Sequence, residues 1–192
     1  NTGLTGDALV QAIADVDGII VRSAVKLPQD VLEQAFKSDQ CNLKGIARAG
    51  VGVDNIDLKT ATKYGVAVMN SASASTITTA ELAFALMISL ARNVASSNAV
   101  FREGGWDRSE YVGVQLAGRT LGIVGMGRIG QAMARRAIAF GMEVIGFDPF
   151  MKESTALDGN VRMLETFDEL ISQVDIVSFH VPKTEQTDGM LG

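Results

Sequence analysis

The first 70 residues alternate between two patterns of apolar and polar positions. Short apolar runs of strand length occur at 18–21, 44–47 and 66–69. The segments between them carry apolar residues three and four positions apart, which is the spacing of a helix with one buried face. Strands that alternate with helices in this way are typical of a parallel sheet. The pattern therefore predicts a parallel α/β unit over this part of the chain.

Three helices are predicted around these strands from local residue choice. The first covers 7–15, before the first strand. The second begins at Pro28, because the fixed φ of proline suits the start of a helix. The third is a short helix that Asp57 can cap and that Gly65 ends.

A strongly apolar segment opens the second part of the chain. Residues 70–76 are small and polar, and we place a domain boundary there, which gives domains at 1–72 and 73–192. Thr78 and Glu81 form the pattern of a capping box, which predicts one long helix to about Phe101. Its first half is apolar on nearly every side, so we expect it to be buried between layers.

A glycine-rich turn follows residue 118. The apolar run 121–124 predicts a buried strand, and helical spacing resumes over 131–140. Between them lies the pattern Gly125-x-Gly127-x-x-Gly130. In a dinucleotide-binding fingerprint the first glycine allows the tight turn, the second lets the backbone approach a pyrophosphate, and the third lets the helix pack closely on the strand. The free N–H groups of the helix start then face the phosphates.

An acidic residue strengthens the dinucleotide prediction. Asp148 ends the next apolar run, 142–147, and lies 18 residues beyond Gly130, about the spacing of the carboxylate that binds the adenosine ribose. Such a carboxylate repels a 2′-phosphate, so NAD is expected over NADP. The alternative is an ordinary strand–turn–helix in which Asp148 only caps a turn before Pro149.

The remaining elements complete a short nucleotide-binding sheet. Thr166 and Glu169 form a second capping box for a helix to Gln173, and 175–180 is a further strand. Only three strands are therefore predicted after residue 118, where a full doubly wound domain has about six.

A second candidate site precedes the domain boundary. Arg48 follows the strand 44–47, and Gly50 and Gly52 come directly after it. Successive backbone N–H groups in such a turn can form an anion-binding nest, to which a guanidinium adds donors. Arg22 follows the first strand in the same way, so the pair suits a substrate with two anionic groups. Surface salt bridges beside a plain glycine-rich turn are the alternative.

His180 is the only histidine. A hydride transfer needs a proton donor or acceptor near neutral pH, and histidine is the usual one. His180 ends a strand and is followed by Val181 and Pro182, without an obvious carboxylate to orient it. A role in shaping a cofactor pocket is therefore favoured over catalysis, and Cys41 is interpreted as incidental.

Composition narrows the class of protein. The net charge of −5 argues against a sequence-independent nucleic-acid footprint. The most apolar window, 82–91, is shorter than the roughly 20 residues that span a bilayer. A single cysteine excludes an internal disulfide and fits a reducing compartment. We therefore expect a cytoplasmic protein with neither membrane nor nucleic-acid partners.

Four motifs in sequence order resemble the D-isomer-specific 2-hydroxyacid dehydrogenases: 20–24, 47–57, 120–130 and 178–184. The likeness covers essentially all 192 residues. It implies an α/β fold of two Rossmann-like parallel-sheet domains, both incomplete in this chain. Residues 1–72 would form part of the substrate-binding (catalytic) domain, and 73–192 the first half of the NAD-binding domain.

The resemblance also implies roles for individual residues, with NAD as cofactor. Substrate would be bound by Arg22, Arg48, Gly50, Val51 and Gly52. The cofactor would be bound by Val51, Gly125, Gly127, Arg128, Ile129, Gly130, Asp148, His180, Val181 and Pro182. The substrate would be a 2-hydroxy or 2-oxo acid, with 3-phosphoglycerate among the candidates. The protein would be a homodimer.

Several points of the resemblance bear on activity. The family's catalytic arginine, glutamate and histidine would lie beyond Gly192, and the first strand and helix of the substrate domain before Asn1. We therefore assign no catalytic or metal-binding residue here and expect the chain to be inactive alone. Ala72 stands where many relatives have proline, and the loop 37–42 is longer than in close relatives. The alternative function is a non-catalytic dinucleotide sensor or corepressor of the same fold.

Overall fold

The computed structural model describes residues 3–38, 41–151, 157 and 159–190. Part of the loop 37–42, predicted to be unusually long, therefore lies outside the described residues. The chain divides into two compact units, Asn1–Ser75 and Thr76–Gly192. The division falls within the small polar stretch 70–76.

The first unit is a three-stranded parallel sheet in the order β1 (Gly18–Val21), β2 (Gly45–Arg48), β3 (Ala67–Asn70). The ends of the strands are in register, with Val21 opposite Arg48 and Arg48 opposite Asn70. The predicted alternation of strands and helices is confirmed to within one or two residues at each boundary. The elements are α1 (Gly6–Ala14), β1 (Gly18–Val21), α2 (Gln29–Ala35), β2 (Gly45–Arg48), α3 (Leu58–Lys63) and β3 (Ala67–Asn70).

The core of this unit joins one face of the sheet to the helices. Ile46 at the centre of β2 and Leu32 on α2 are fully buried in one cluster. The predicted cap of α3 is confirmed, since the Asp57 carboxylate accepts a hydrogen bond from the Thr60 N–H at 2.7 Å. Hydrogen bonds from Thr60 hold the pKa of Asp57 below its usual value. This cap fixes where the chain leaves the loop after β2.

The second unit is a four-stranded parallel sheet in the order β6 (Arg162–Leu164), β5 (Glu143–Phe147), β4 (Thr120–Val124), β7 (Ile176–Phe179). The order matches the first four strands of a doubly wound nucleotide-binding domain, 3-2-1-4. The count of three strands was wrong, because β6 pairs with β5 but has only three residues, which is shorter than the apolar run that predicts a strand. The elements are α4 (Thr76–Ala91), α5 (Val94–Arg102), β4 (Thr120–Val124), α6 (Arg128–Ala139), β5 (Glu143–Phe147), β6 (Arg162–Leu164), α7 (Phe167–Ile171) and β7 (Ile176–Phe179).

The single long helix predicted from Thr78 to Phe101 is two helices. Asn93 has a left-handed backbone, φ 53°, and α4 and α5 are bent by 67° around it. The capping box was also wrong: Thr78 lies inside α4, and the Glu81 carboxylate pairs with Arg136 on α6 at 3.1 Å. The second capping residue, Thr166, does accept the Glu169 N–H at 3.2 Å.

The expected burial of α4 on nearly every side is also wrong. One face, including Phe84 and Met87, packs against the core of the second unit. The opposite face exposes Leu82, Leu86 and Leu90, which are 62%, 61% and 82% accessible. Within the described residues no single helix is long and apolar enough to cross a membrane, and α4 with α5 meets that test only as a bent pair.

Candidate functional site

The glycine turn of the second unit begins where β4 ends. Gly125 has φ +91°, a left-handed conformation that glycine adopts without strain. A Cβ at this position would come within 2.7 Å of the His180 carbonyl oxygen, directly after β7. The turn is therefore seated between β4 and β7, where the strand order reverses. Open α/β sheets bind ligands outside such a switch point.

Gly130 brings α6 against this turn. An added Cβ at Gly130 would collide with the Gly125 carbonyl oxygen and come within 3.2 Å of the Ile123 side chain. Because the first collision is with backbone, no side-chain rotation could relieve it. The third glycine of the motif therefore holds the first turn of α6 against the end of β4, as the sequence pattern predicts.

Gly127 has a different environment. It is the N-cap of α6, and apart from Gly127 and its two chain neighbours no described residue has a heavy atom within 4 Å of where its Cβ would be. The protein itself therefore does not require glycine at this position. The backbone N–H groups in the first turn of a helix have no intrahelical acceptor and suit an anion. The open space at Gly127, beside the start of α6 at Arg128 and Ile129, thus fits the pyrophosphate of a dinucleotide.

The Asp148 carboxylate is fixed beside the glycine turn. Its Oδ2 accepts a hydrogen bond from the Met126 N–H, and its Oδ1 accepts one from the Phe150 N–H, both at 2.9 Å. The bond from the Phe150 N–H is the turn cap that the alternative interpretation of Asp148 predicts. A carboxylate has about four acceptor positions, so each oxygen can still accept a ribose hydroxyl.

His180 lies on the other side of the turn. Its backbone N–H donates to the Val124 carbonyl at 2.7 Å, and its ring Nε2 lies 2.9 Å from the Ser178 hydroxyl oxygen. Burial lowers the pKa of His180 below its usual value of 6.5, which favours a neutral ring at pH 7. Within the described residues no carboxylate forms a hydrogen bond or ion pair with this ring. The sequence analysis did not assign a role to Ser178. Its position two residues before His180 was the available indication, because side chains two apart on a strand point to the same face.

The two residues after His180 continue along the same turn. A Cβ at Gly125 would come within 2.8 Å of the Val181 side chain. The Pro182 carbonyl accepts a hydrogen bond from the Thr187 hydroxyl at 2.6 Å. The structure thus brings the glycine turn, Asp148 and the segment 180–182 to one edge of the sheet.

In the first unit both predicted arginines lie at the carboxyl ends of strands. Arg22 is exposed directly after β1, whereas Arg48 is the half-buried last residue of β2. The Arg48 guanidinium lies over Gly50, so that a Cβ on Gly50 would overlap it. The Arg48 Nε is buried without a hydrogen-bond partner. Across the described part of the chain neither arginine forms an ion pair, so the salt-bridge alternative is not seen there.

The loop after β2 is tied to both neighbouring strands. The Ala49 N–H donates to the Val21 carbonyl at 2.9 Å. On the other side the Asn70 side-chain amide donates to the Val51 carbonyl at 2.6 Å. The positions of Gly50, Val51 and Gly52 are therefore set by β1 and β3 as well as by their own turn. The cofactor contact predicted for Val51 stays a prediction.

Asn55 connects this loop to the loop that carries Arg22. It is only 4% exposed, and its Nδ2 donates to the Arg22 carbonyl at 3.2 Å and the Val25 carbonyl at 2.8 Å. Sequence reasoning missed both Asn55 and Asn70. The available indication for Asn55 was its position directly before the apolar Ile56. A buried amide beside such a residue is normally hydrogen-bonded.

The strand order, the packed glycine turn and the fixed carboxylate are those of a Rossmann-type dinucleotide-binding fold. Residues 84–192 match the family described as D-isomer specific 2-hydroxyacid dehydrogenase, NAD binding domain. The chain therefore belongs to the D-isomer-specific 2-hydroxyacid dehydrogenase family, and the predicted resemblance and fold class are confirmed.

Individual relatives agree with this assignment. The D-3-phosphoglycerate dehydrogenase of Methanocaldococcus jannaschii is 44% identical over 191 residues, which cover 100% of this chain and 36% of that protein. The hydroxypyruvate reductase of Thermotoga maritima is 42% identical over 184 residues, which cover 96% of this chain and 57% of that protein. This chain therefore spans about a third to somewhat more than half the length of these relatives.

A solved structure supports the fold and the class of cofactor. The D-lactate dehydrogenase of Aquifex aeolicus, complexed with NAD and lactic acid, aligns with a TM-score of 0.80 at 30% identity. The alignment covers 94% of this chain and 53% of the dehydrogenase. The family to which the chain belongs is an NAD-binding one.

Proposed function

We propose that the full-length protein containing this chain is an NAD-dependent dehydrogenase of a 2-hydroxy acid. The observation that carries the proposal is the open space at Gly127, at the start of α6, between two glycines that are packed against backbone. The fixed Asp148 carboxylate beside it supports the same function. In this proposal residues 1–72 bind substrate and residues 73–192 bind NAD.

The bound NAD would supply the hydride acceptor, and the chain would hold it. The backbone amides of Arg128 and Ile129 bind the pyrophosphate, and Asp148 accepts the adenosine ribose hydroxyls. His180, with Val181 and Pro182, lines the pocket on the β7 side. Its lowered pKa and its serine partner suit a neutral hydrogen-bonding group, so we assign it no proton transfer.

The substrate end of the proposal rests on the first unit. The guanidinium of Arg48 is turned over Gly50 without an ion-pair partner in the described residues. Arg22 and Arg48 would bind a phosphate or carboxylate, and the Val51 and Gly52 amides a carboxylate. A substrate with two anionic groups, such as 3-phosphoglycerate, uses both arginines, and that substrate would place the protein in serine biosynthesis.

The full-length protein, assayed with NADH against 3-phosphohydroxypyruvate, hydroxypyruvate and glyoxylate, tests this function. We expect turnover, measured as the loss of NADH absorbance. The rate should be highest with the phosphorylated acid. NADH binding measured by fluorescence, without turnover of any 2-oxo acid, would instead establish the non-catalytic sensor or corepressor.

Replacing Asp148 by asparagine should narrow the preference of the full-length protein for NADH over NADPH. The change removes a negative charge that accepts ribose hydroxyls and repels a 2′-phosphate. A hydrogen bond to a charged group contributes about 1.5–3 kcal/mol, so the ratio of the two kcat/KM values should fall by about one to two orders of magnitude. Asp168→Asn, on the exposed first turn of α7, is the control and should leave the ratio unchanged. An unaltered ratio for Asp148→Asn would remove this residue from the cofactor site.

We also propose a homodimer that buries the exposed face of α4. Leu82, Leu86 and Leu90 repeat at four-residue spacing and lie on one side of the helix. In the same unit, Phe101 on α5 and Trp106 after it are 61% and 74% exposed and contact each other, with ring centroids 5.9 Å apart. An apolar surface of this kind usually marks an interface, and a second copy of the chain is the occupant that we propose.

Replacing Leu86 by aspartate should convert this dimer to a monomer. A carboxylate in the middle of an apolar interface would be desolvated without a partner, so sedimentation at micromolar concentration should show half the wild-type mass. Leu58→Asp is the matched control, because Leu58 is an exposed leucine, 45% accessible, on α3 of the first unit. A wild type that sediments as a monomer, or a Leu86 variant that remains dimeric, would rule out this interface.

We propose a cytoplasmic location without nucleic-acid or membrane partners. The net charge of −5 opposes binding to a polyanion. The single cysteine, Cys41, is unpaired, as is usual for proteins of reducing compartments.

A further inference from the structure

Asn70, the last residue of β3, and Ser71 directly after it bind three carbonyl groups at the end of β2 and in the loop that follows. The Ser71 N–H donates to the Arg48 carbonyl at 3.2 Å and to the Gly50 carbonyl at 3.0 Å. The Asn70 Nδ2 donates to the Val51 carbonyl at 2.6 Å. β3 thus continues its pairing with β2 beyond the end of the sheet, and a side chain provides the final bond.

These bonds also determine where the next two N–H groups point. In a planar trans peptide unit, the carbonyl of one residue and the N–H of the following residue point in opposite directions. Because the Gly50 carbonyl faces Ser71, the Val51 N–H points away from the end of β3. Because the Val51 carbonyl faces the Asn70 side chain, the Gly52 N–H points away from Asn70 as well. Within the described residues neither N–H donates to a protein acceptor.

We propose that Asn70 is a positioning residue for the carboxylate of the substrate. It acts through the Val51–Gly52 peptide unit: its side-chain amide fixes the Val51 carbonyl, which keeps the Gly52 N–H directed outward beside that of Val51. The inference rests on the proposed function, which gives these two amides to the substrate carboxylate. Asn70 does not itself touch the substrate.

The location of Asn70 separates this role from a purely structural one. Its side chain is exposed, and an exposed hydrogen bond contributes little to folding because water replaces it. The backbone bonds of Ser71 remain when the Asn70 side chain is changed. Losing the side-chain amide should therefore loosen one peptide unit while the sheet stays intact.

The test compares full-length wild type with Asn70→Leu, which keeps the branched shape but has no donor. We expect the KM for the 2-oxo acid to rise about three- to tenfold, the loss of one hydrogen bond expressed as a ratio. The KM for NADH and the melting temperature should stay unchanged. Asn70→His, which restores an N–H at the δ position, should recover most of the substrate KM. Asn42→Leu, at an exposed asparagine three residues before β2, is the control and should have no effect.

Calorimetric titration with oxalate separates this proposal from the proposed function. If the wild type turns over no 2-oxo acid but binds oxalate more tightly than Asn70→Leu does, the dehydrogenase function fails and the positioning role stands. Equal KM values, or equal oxalate affinities, for wild type and Asn70→Leu would overturn the positioning role. A wild type that neither turns over a 2-oxo acid nor binds oxalate would overturn both.

Discussion

Replacing Gly130 by alanine is expected to abolish measurable NADH binding by the full-length protein and to destabilise it. The added methyl group would collide with the Gly125 carbonyl oxygen, so α6 must move away from the end of β4. Overpacking in a well-packed region costs about 1–3 kcal/mol, and here the neighbour is backbone that cannot change rotamer. We therefore expect the free energy of unfolding in urea to fall by about 3 kcal/mol. Fluorescence titration would show the loss of NADH binding.

Gly127→Ala is the matched control for this prediction, because the same methyl group would meet open space. Its free energy of unfolding should stay within about 0.5 kcal/mol of wild type, as for most surface substitutions. Its affinity for NADH should nevertheless fall, since the methyl group occupies the space of the pyrophosphate. If Gly127→Ala binds NADH as the wild type does, the pyrophosphate does not lie at this turn.

The difference between these glycines shows what sequence spacing can predict. The apolar run and the three glycines predict a strand, a turn and a helix, because each acts through local backbone geometry. Spacing alone does not show that protein atoms leave no room for a Cβ at Gly130, whereas the space at Gly127 is open. Gly130 is limited by the Gly125 carbonyl oxygen and the Ile123 side chain, which only the folded turn brings against α6. Spacing likewise does not show that the His180 carbonyl oxygen lies beside Gly125, because β7 arrives about 50 residues later in the chain.

Other features could not be predicted because they depend on contacts that leave no periodic pattern. β6 has three residues and becomes a strand only by pairing with β5. The carbonyl contacts of Asn55 and Asn70 join loops that are brought together by the order of three strands. On α4 the composition correctly indicates an apolar surface. The composition does not indicate whether that surface packs against the same chain or against another. In the described residues the exposed leucines lie on the side of α4 that does not contact the core of the second unit.

Replacing Arg48 by alanine should raise the KM of the full-length protein for a 2-oxo acid by about one to two orders of magnitude. This is the loss expected when a charged contact of about 1.5–3 kcal/mol is removed. The free energy of unfolding should change little, because Arg48 forms no ion pair within the described residues and its buried Nε bonds to no acceptor there. Steady-state kinetics and urea denaturation measure the two quantities.

Two further variants make the expectation for Arg48 specific. Arg48→Lys should recover little of the substrate KM, because a point charge cannot reproduce the flat guanidinium that lies over Gly50. Arg119→Ala is the opposite control: Arg119 pairs with Asp175 at 3.0 Å in the second unit, so its loss should leave the substrate KM unchanged. An Arg48→Ala variant with unchanged KM and a lowered melting temperature would assign the arginine to the fold. The anion site would then have to rest on Arg22 and the backbone amides of the loop after β2.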